Sequence, residues 1–301
     1  MRGLVLLVLV AAAAAAADVP DAAYIANYHM LVGIPHATRI KEMEDQWLSS
    51  PLHRIVGGAA SAISSHPYLA GLVITFPNGA RSACGSTLLS ANRLVTAAHC
   101  WVDSVNQAAQ FEVVLGSQYL FSGGTRIVTT QVYTHPSYNP RISPIAFDVA
   151  MIYLPTRVTF NANIAPVDLP FTTDITEQFA GVTATAIGYG KTTDLESLTL
   201  QTFRREVSLQ VMAQPQCITA WAAGTIQDYN LCTAGRSLQS TNVGVCGGDS
   251  GGPLTTLRNG RRVLIGVISF AAAQQCHSGF ASGYSRTTSF YQFILEHLLV
   301  N

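Results

Sequence analysis

Charge is scarce in this chain. Only 11% of its 301 residues are Asp, Glu, Lys or Arg, and seventeen basic residues balance seventeen acidic ones. No basic run occurs, and a nucleic-acid partner needs a cationic footprint, so that class is excluded. Lysine is nearly missing, with Lys41 and Lys191 set against fifteen Arg. None of the six cysteines stands in a Cys-x-x-Cys pair, so a structural zinc site is not expected. No Asn-x-Ser/Thr acceptor is present, which removes N-glycosylation. Beyond the first residues no apolar run is long enough to cross a bilayer. Disorder is excluded too, because 49% of the residues are apolar.

The start of the chain points to export. Arg2 precedes an unbroken apolar run from Leu4 to Ala17, followed by Asp18. This pattern predicts a signal peptide over residues 1–17, cut after Ala17. A membrane anchor is the competing reading, but fourteen helical residues reach only about 21 Å, short of a ~30 Å hydrocarbon core. The expectation is a secreted protein with no membrane partner. Export makes disulfides the default use of six cysteines. Spacing alone leaves all fifteen pairings open.

Residues 18–54 differ in character from the rest of the chain. They mix Asp, Glu, Tyr, His and Pro, carry a net charge of −2, and show a weak helical pattern around Thr38 to Leu48. Beyond residue 54, short runs rich in β-branched and aromatic residues alternate with Gly, Pro, Asn and Ser. Examples are Leu69–Thr75, Phe111–Leu115, Arg126–Tyr133, Val149–Leu154, Val182–Ile187, Phe203–Met212 and Arg262–Phe270. Such spacing predicts an all-β antiparallel sandwich or barrel. Asn259-Gly260 is the strongest hairpin signal. One long helix is expected, at the end, with Phe290, Phe293, Ile294 and Leu298 on one face and Thr288 or Ser289 as cap.

Three segments carry chemistry. Cys246-Gly-Gly-Asp-Ser250-Gly-Gly-Pro253 sets a serine in a glycine-dense turn. A serine hydroxyl needs a base to become nucleophilic, and the oxyanion it generates needs donors beside it. A glycine hairpin with an incidental serine is the bland alternative, and the Cys and Pro flanks count against it. The nucleophile elbow of α/β-hydrolases also fails, because its acid and His follow the Ser. Here the only acid after Ser250 is Glu296, which adjoins His297, and neighbours on a helix face different ways. Leu94-Val-Thr-Ala-Ala-His99-Cys100 ends an apolar strand on a histidine, and Phe147-Asp148-Val-Ala-Met-Ile-Tyr-Leu154 opens a buried strand with an acid. A satisfied core histidine and a strand-end turn aspartate are the structural alternatives. A carboxylate there is costly unless paired.

With the order His99, Asp148, Ser250, the chain resembles the trypsin/chymotrypsin family (S1-type) of serine endopeptidases, including the digestive enzymes of insects. Thr96-Ala-Ala-His-Cys100, Asp148-Val-Ala-Met151 and Gly248-Asp-Ser-Gly-Gly-Pro253 carry the likeness, which runs from Ile55 to Asn301. Arg54-Ile-Val-Gly-Gly58 resembles the family's activation site.

The resemblance implies two antiparallel six-stranded β-barrels, about 55–165 and 166–301, with the active site between them and a C-terminal helix. It selects the disulfides Cys84–Cys100, Cys217–Cys232 and Cys246–Cys276. His99, Asp148 and Ser250 become the catalytic triad, and the N–H groups of Gly248 and Ser250 the oxyanion hole. Residues 18–54 become an activation propeptide. Cleavage after Arg54 frees the Ile55 ammonium to pair with Asp249. The primary specificity pocket is expected to hold Gly244 at its base, Ser269, Phe270 and Ala271 on one wall and Ser282 on the other. Without an acid at Gly244, a large apolar or aromatic substrate side chain is favoured. Ala271 and Ser282 keep an elastase-like preference for Leu, Ala or Val as the competitor.

No cofactor is implied, and the absence of acids between Glu112 and Asp148 argues against the calcium loop of some relatives. The implied partners are protein and peptide substrates, a trypsin-like activating protease and protein protease inhibitors, acting on a monomer outside the cell, with a gut lumen as one setting. A regulatory cascade protease and a non-catalytic binding protein of the same fold are the other classes. The Arg excess carries one further expectation: ion pairs that survive strongly alkaline fluid.

Overall fold

The computed structural model describes residues 26–49, 62–170, 172–191, 204–239, 241–272, 276 and 278–300. The expected signal peptide, the Arg54-Ile55 bond and Phe203 lie outside them. Two curled antiparallel sheets make up the body, and 13 strands are described along the chain.

The first sheet contains β1 (Leu69–Thr75), β2 (Arg81–Ser90), β3 (Arg93–Thr96), β4 (Gln110–Leu115), β5 (Thr125–Thr129), β6 (Val132–Thr134) and β7 (Ala150–Tyr153), in the order β5-β4-β1-β2-β3-β7-β6. It has seven strands rather than the six expected. The predicted single strand Arg126–Tyr133 is broken at Thr130-Gln131. There the Thr129 hydroxyl donates to the Tyr153 carbonyl and accepts from the Gln131 amide, while Val132 N–H turns back onto Thr130 O. The chain therefore leaves β4 and pairs with β7. Two residues thus join the two outermost strands of the sheet, which is only feasible because the sheet is rolled.

The second sheet contains β8 (Thr183–Gly188), β9 (Arg205–Gln210), β10 (Asn230–Thr233), β11 (Pro253–Arg258), β12 (Arg261–Phe270) and β13 (Ser282–Arg286), in the order β10-β13-β12-β11-β8-β9. It closes in the same way: Val211, just past β9, bridges to Thr233 of β10. The β11–β12 turn is Asn259-Gly260, and both residues have positive φ, 51° and 77°, the geometry a tight type I′ hairpin needs. The connection between the sheets runs from the end of β7 at Tyr153 to the start of β8 at Thr183.

The C-terminal helix (α3, Tyr291–Leu299) starts after Phe290, not after Thr288 or Ser289. Its buried Phe290 and Ile294, with half-buried Phe293 and Leu298, pack onto the first sheet. Arg93 fixes its end, donating to the carbonyls of His297 (3.1 Å) and Val300 (2.7 Å), where the helix dipole favours a cation. A short helix, α2 (Gln214–Thr219), lies beside β10.

Residues 28–49 form a helical arm on β2. A π turn, His29–Gly33, leads into α1 (Ile34–Ser49). Pro35 has no N–H to give to an i−4 carbonyl, and the wide turn stands immediately before it. Tyr28, Val32, His36, Ile40 and Glu44 are all buried. That strict i,i+4 series is one helix face. Among the described residues no helix is long and apolar enough to cross a membrane.

Candidate active site

The site lies where the two sheets meet, and glycine makes the meeting feasible. A side chain on Gly85 of β2 would collide with the backbone of Gly252 at 2.9 Å, and one on Gly251 (φ 79°) would strike Thr96 and Gly85. Gly85 N–H donates to the Ser250 carbonyl at 2.7 Å, so the serine turn of the second sheet is tied directly to the first.

His99 follows β3 in a single 3-10 turn, Ala98–Cys100. Asp148 precedes β7, the neighbour of β3. The pairing of these two strands brings the side chains together: His99 Nδ1–H donates to Asp148 Oδ2 at 2.8 Å, and the His99 backbone N–H to Oδ1 at 2.9 Å. Both residues are buried. Ser269 Oγ–H donates to Oδ2 at 2.5 Å, and Ser285 Oγ–H to the Asp148 carbonyl at 2.6 Å. Three donors thus satisfy the carboxylate although it is buried. The residue before it, Phe147, has φ 54°, a costly conformation for a bulky side chain. Its ring is held by stacking on His135 and Tyr229 at 5.2 and 4.6 Å.

The Cys84–Cys100 disulfide runs between histidine and serine. Cys100 Sγ lies 3.9 Å from His99 Nε2 and 3.7 Å from the Ser250 carbonyl. Cys246–Cys276 and Cys217–Cys232 are the other two bridges. A serine in a glycine turn next to a carboxylate-oriented imidazole is the constellation of acyl-transfer proteases. The family profile described as Trypsin matches residues 55–294.

The chain belongs to the trypsin family. It is 34% identical to the brachyurin of Leptuca pugilator over 244 residues, which covers 80% of this chain and 96% of that one. The collagenase of Hypoderma lineatum is 30% identical over 244 residues, 81% of this chain and 87% of its own. The solved HL collagenase structure superposes with a TM-score of 0.68 at 29% identity, covering 82% of this chain and 100% of that one. The protein is accordingly a serine endopeptidase.

Other features of this trypsin-family domain set its state. Asp249 Oδ1 accepts from Gly190 N–H (2.7 Å) and Oδ2 from Cys246 N–H (2.9 Å). No cation pairs with it among the described residues. Burial pushes its carboxyl up to about 6, against the pull of those two amides. Gly188 and Gly190 press on the carboxylate and leave no room for a Cβ. A cavity of about 240 Å³ opens here, bounded by Gly244, Val245, Cys246, Gly190 and Asp249.

The predicted pocket residues scatter in role. A Cβ on Gly244 would meet the Cys276 carbonyl at 3.0 Å and Ser282 Oγ at 3.4 Å, and Ser282 Oγ accepts from Val245 N–H at 3.3 Å. Phe270 packs edge-on against Trp221 at 4.8 Å and lies on Gly283. Half-buried Ala271 packs against the apolar core of the second sheet. Ser269 points instead to Asp148.

Sequence reasoning assigned no site role to Ser285 or to the helical arm. Tyr28 stands edge-on to the His99 ring, centroids 4.7 Å apart. Val32 fills the place of a side chain on Gly247, and His36 that of one on Gly248 (φ 102°). Among the described residues no hydrogen bond joins Ser250 Oγ to His99 Nε2. The only Cys/His/acid cluster there that could hold a metal is Cys84, His99 and Cys100, whose sulfurs are tied up in a disulfide.

Proposed function

We propose that this protein is a secreted zymogen whose mature form hydrolyses peptide bonds through an acyl-enzyme. The observation that carries this reading is the buried Asp148–His99 pair beside Ser250. Ser250 Oγ attacks the scissile carbonyl as His99 Nε2 takes its proton. The Gly248 and Ser250 N–H groups hold the oxyanion. The C–N bond then breaks as the imidazolium returns the proton to the leaving amine. Water repeats the sequence to release the acid. Asp148 holds the Nδ1–H tautomer throughout.

Activation is by cleavage after Arg54. The Ile55 ammonium then enters beside Asp249, whose carboxylate has only backbone donors and a cavity next to it. A buried carboxylate gains strongly from such a partner. The three disulfides suit an oxidising compartment, and substrates, an activating protease and protein inhibitors are the partners of such an enzyme. A digestive role fits the short prosegment without cysteines.

Large apolar or aromatic side chains fit a pocket whose base, Gly244, bears no charge. Ser282 Oγ, close to that base, favours a second reading in which medium aliphatic residues are preferred. Trypsin treatment, amino-terminal sequencing and a peptide-library profile test both points. The expected sequence is Ile-Val-Gly-Gly, with cuts after Phe, Tyr or Leu; efficient cleavage after Arg or Lys would refute the pocket assignment.

A further inference from the structure

We propose that residues 26–49 are a helical inhibitor of the catalytic cleft, able to bind in trans after the activation cut. Three successive positions of the i,i+4 series cover three parts of the site. Tyr28 meets the His99 ring, Val32 covers Gly247, and His36 covers Gly248. A chain seated there denies a substrate both the base and the oxyanion-hole residue.

The contact is a built one. Tyr28 O–H donates to the Ala83 carbonyl at 2.7 Å, and His36 Nε2–H to the Tyr189 carbonyl at 2.9 Å. His29 N–H donates to Asp103 Oδ2 at 2.9 Å, and its ring Nδ1 shares a proton with Ser82 Oγ at 2.9 Å. At the far end Glu44 accepts from the amides of Leu120 (2.6 Å) and Phe121 (2.9 Å). Tyr28, Val32, Ala37 and Ile40 join the apolar core of the first sheet. Gly33 lies against Ser82, with no space for a Cβ. The arm is thus specified along its whole length, which an incidental leader is not.

Helical geometry also explains why the arm would survive in the cleft. A protease takes its substrate as an extended strand, whose carbonyls are free to enter the oxyanion hole. The carbonyls of a helix are already committed to its own N–H groups. With no cysteine before Cys84, the cut arm is held by these contacts alone and can leave. Its inhibition is therefore reversible.

This inference rests on activation at Arg54, and the test separates the two. The full chain is treated with bead-immobilised trypsin, which is then filtered off because the arm itself holds Arg39 and Lys41; the product is sequenced at its new amino terminus and assayed on a small ester with synthetic peptide 26–49 added. Competitive inhibition is expected, with the peptide recovered uncut. A Val32→Arg, Glu44→Ala peptide should bind about 100-fold more weakly, as two lost contacts of ~1.4 kcal/mol each imply. No inhibition at roughly 100-fold molar excess, or digestion of the peptide, would overturn the proposal. Hydrogen exchange on the uncut chain needs no activation: amides 36–48 should be protected relative to the free peptide. Free-peptide exchange rates there overturn the docking whatever sequencing shows. A new terminus other than Ile55 sinks only the activation site.

Discussion

His99 and Asp148 are locked by two hydrogen bonds, side chain to side chain at 2.8 Å and backbone to side chain at 2.9 Å. The second bond does not depend on the imidazole. The carboxylate is therefore placed by backbone as well as by the ring, and from the second sheet Ser269 donates to the carboxylate and Ser285 to the Asp148 backbone carbonyl. The His99–Asp148 pair is already assembled in this chain, so on the proposed activation what must change lies around Gly248 and Asp249.

Replacing Asp148 by Asn should keep the fold and lower kcat by about 10⁴, because the amide cannot enforce the Nδ1–H tautomer. Ser269→Ala should cost far less, about ten-fold, since only one of three donors to the carboxylate is lost. Equal losses in the two variants, read by steady-state kinetics, would contradict this division of roles.

Asp249→Asn should separate stability from activity. In the uncut chain the Asp249 carboxyl is raised to about 6 by burial, so the folded state holds its proton more tightly than the unfolded chain does. That contribution is full below about pH 4 and is lost as pH rises through about 6. The Asn variant of the uncut chain should therefore melt higher than the parent at pH 7.5 and no higher at pH 4. After trypsin treatment it should be inactive, because the proposed pairing with the Ile55 ammonium needs a carboxylate. Calorimetry and an ester assay check the two halves.

Some of this was legible in the sequence. Three separated motifs name His99, Asp148 and Ser250, since nucleophilic catalysis restricts residue types at those points. Asn259-Gly260 marks a hairpin because few residue pairs accept two positive φ values. The break at Thr130-Gln131 was not legible, because it depends on Thr129 finding the Tyr153 carbonyl across the sheet. Nor was the docking of the arm. Tyr28, Val32, His36, Ile40 and Glu44 do form an i,i+4 series, but two of the five are polar types that read as a solvated face. Gly33 and Pro35 further hide the helix, and the partners are distant glycines whose bare surfaces have no sequence signature.

Ser282→Gly should widen the base of the proposed primary pocket. Its hydroxyl stands 3.4 Å from the position of a Cβ on Gly244. Removing it should raise kcat/KM for Phe and Tyr substrates relative to Leu by several-fold. It should also cost about 1 kcal/mol of stability, because Val245 N–H loses its acceptor. An unchanged Phe/Leu ratio would place the selectivity elsewhere.

Alkaline tolerance is expected from the surface ion pairs. Outside the arm, the described Lys or Arg pairs with acids all use Arg: Arg126–Glu112, Arg258–Glu177 and Arg261–Asp168. Guanidinium stays charged where lysine does not. The activated enzyme should keep its fold and turnover well above pH 9; collapse of turnover by pH 9 with an intact circular dichroism spectrum would rule this out.

Affinity of the arm should fall with acid. Docking holds His29 and His36 down to about 4, mainly by burial, against ~6.5 in a free peptide. His36 Nδ1 has no partner, so a second proton there has no acceptor; for His29 the His99 backbone favours the proton, but burial outweighs it. The charges facing His29 are Asp103, which favours its proton, and His99, which opposes it. Lys191 and Arg39 oppose that of His36. A lowered bound-state value means the released arm takes the protons. Binding is complete above about pH 6.5 and weakens as pH falls towards 4, by up to ten-fold per histidine for each pH unit. Glu44 works the other way, since burial raises its carboxyl and acid relieves the cost of docking it. The two histidines outweigh one glutamate above pH 5. Between pH 7.5 and 5.5 the dissociation constant of peptide 26–49 should rise about 10- to 100-fold. The measurement is fluorescence anisotropy on Ser250→Ala protein treated with bead-immobilised trypsin, and a His29→Gln, His36→Gln peptide should lose that rise, leaving only the opposite slope of Glu44.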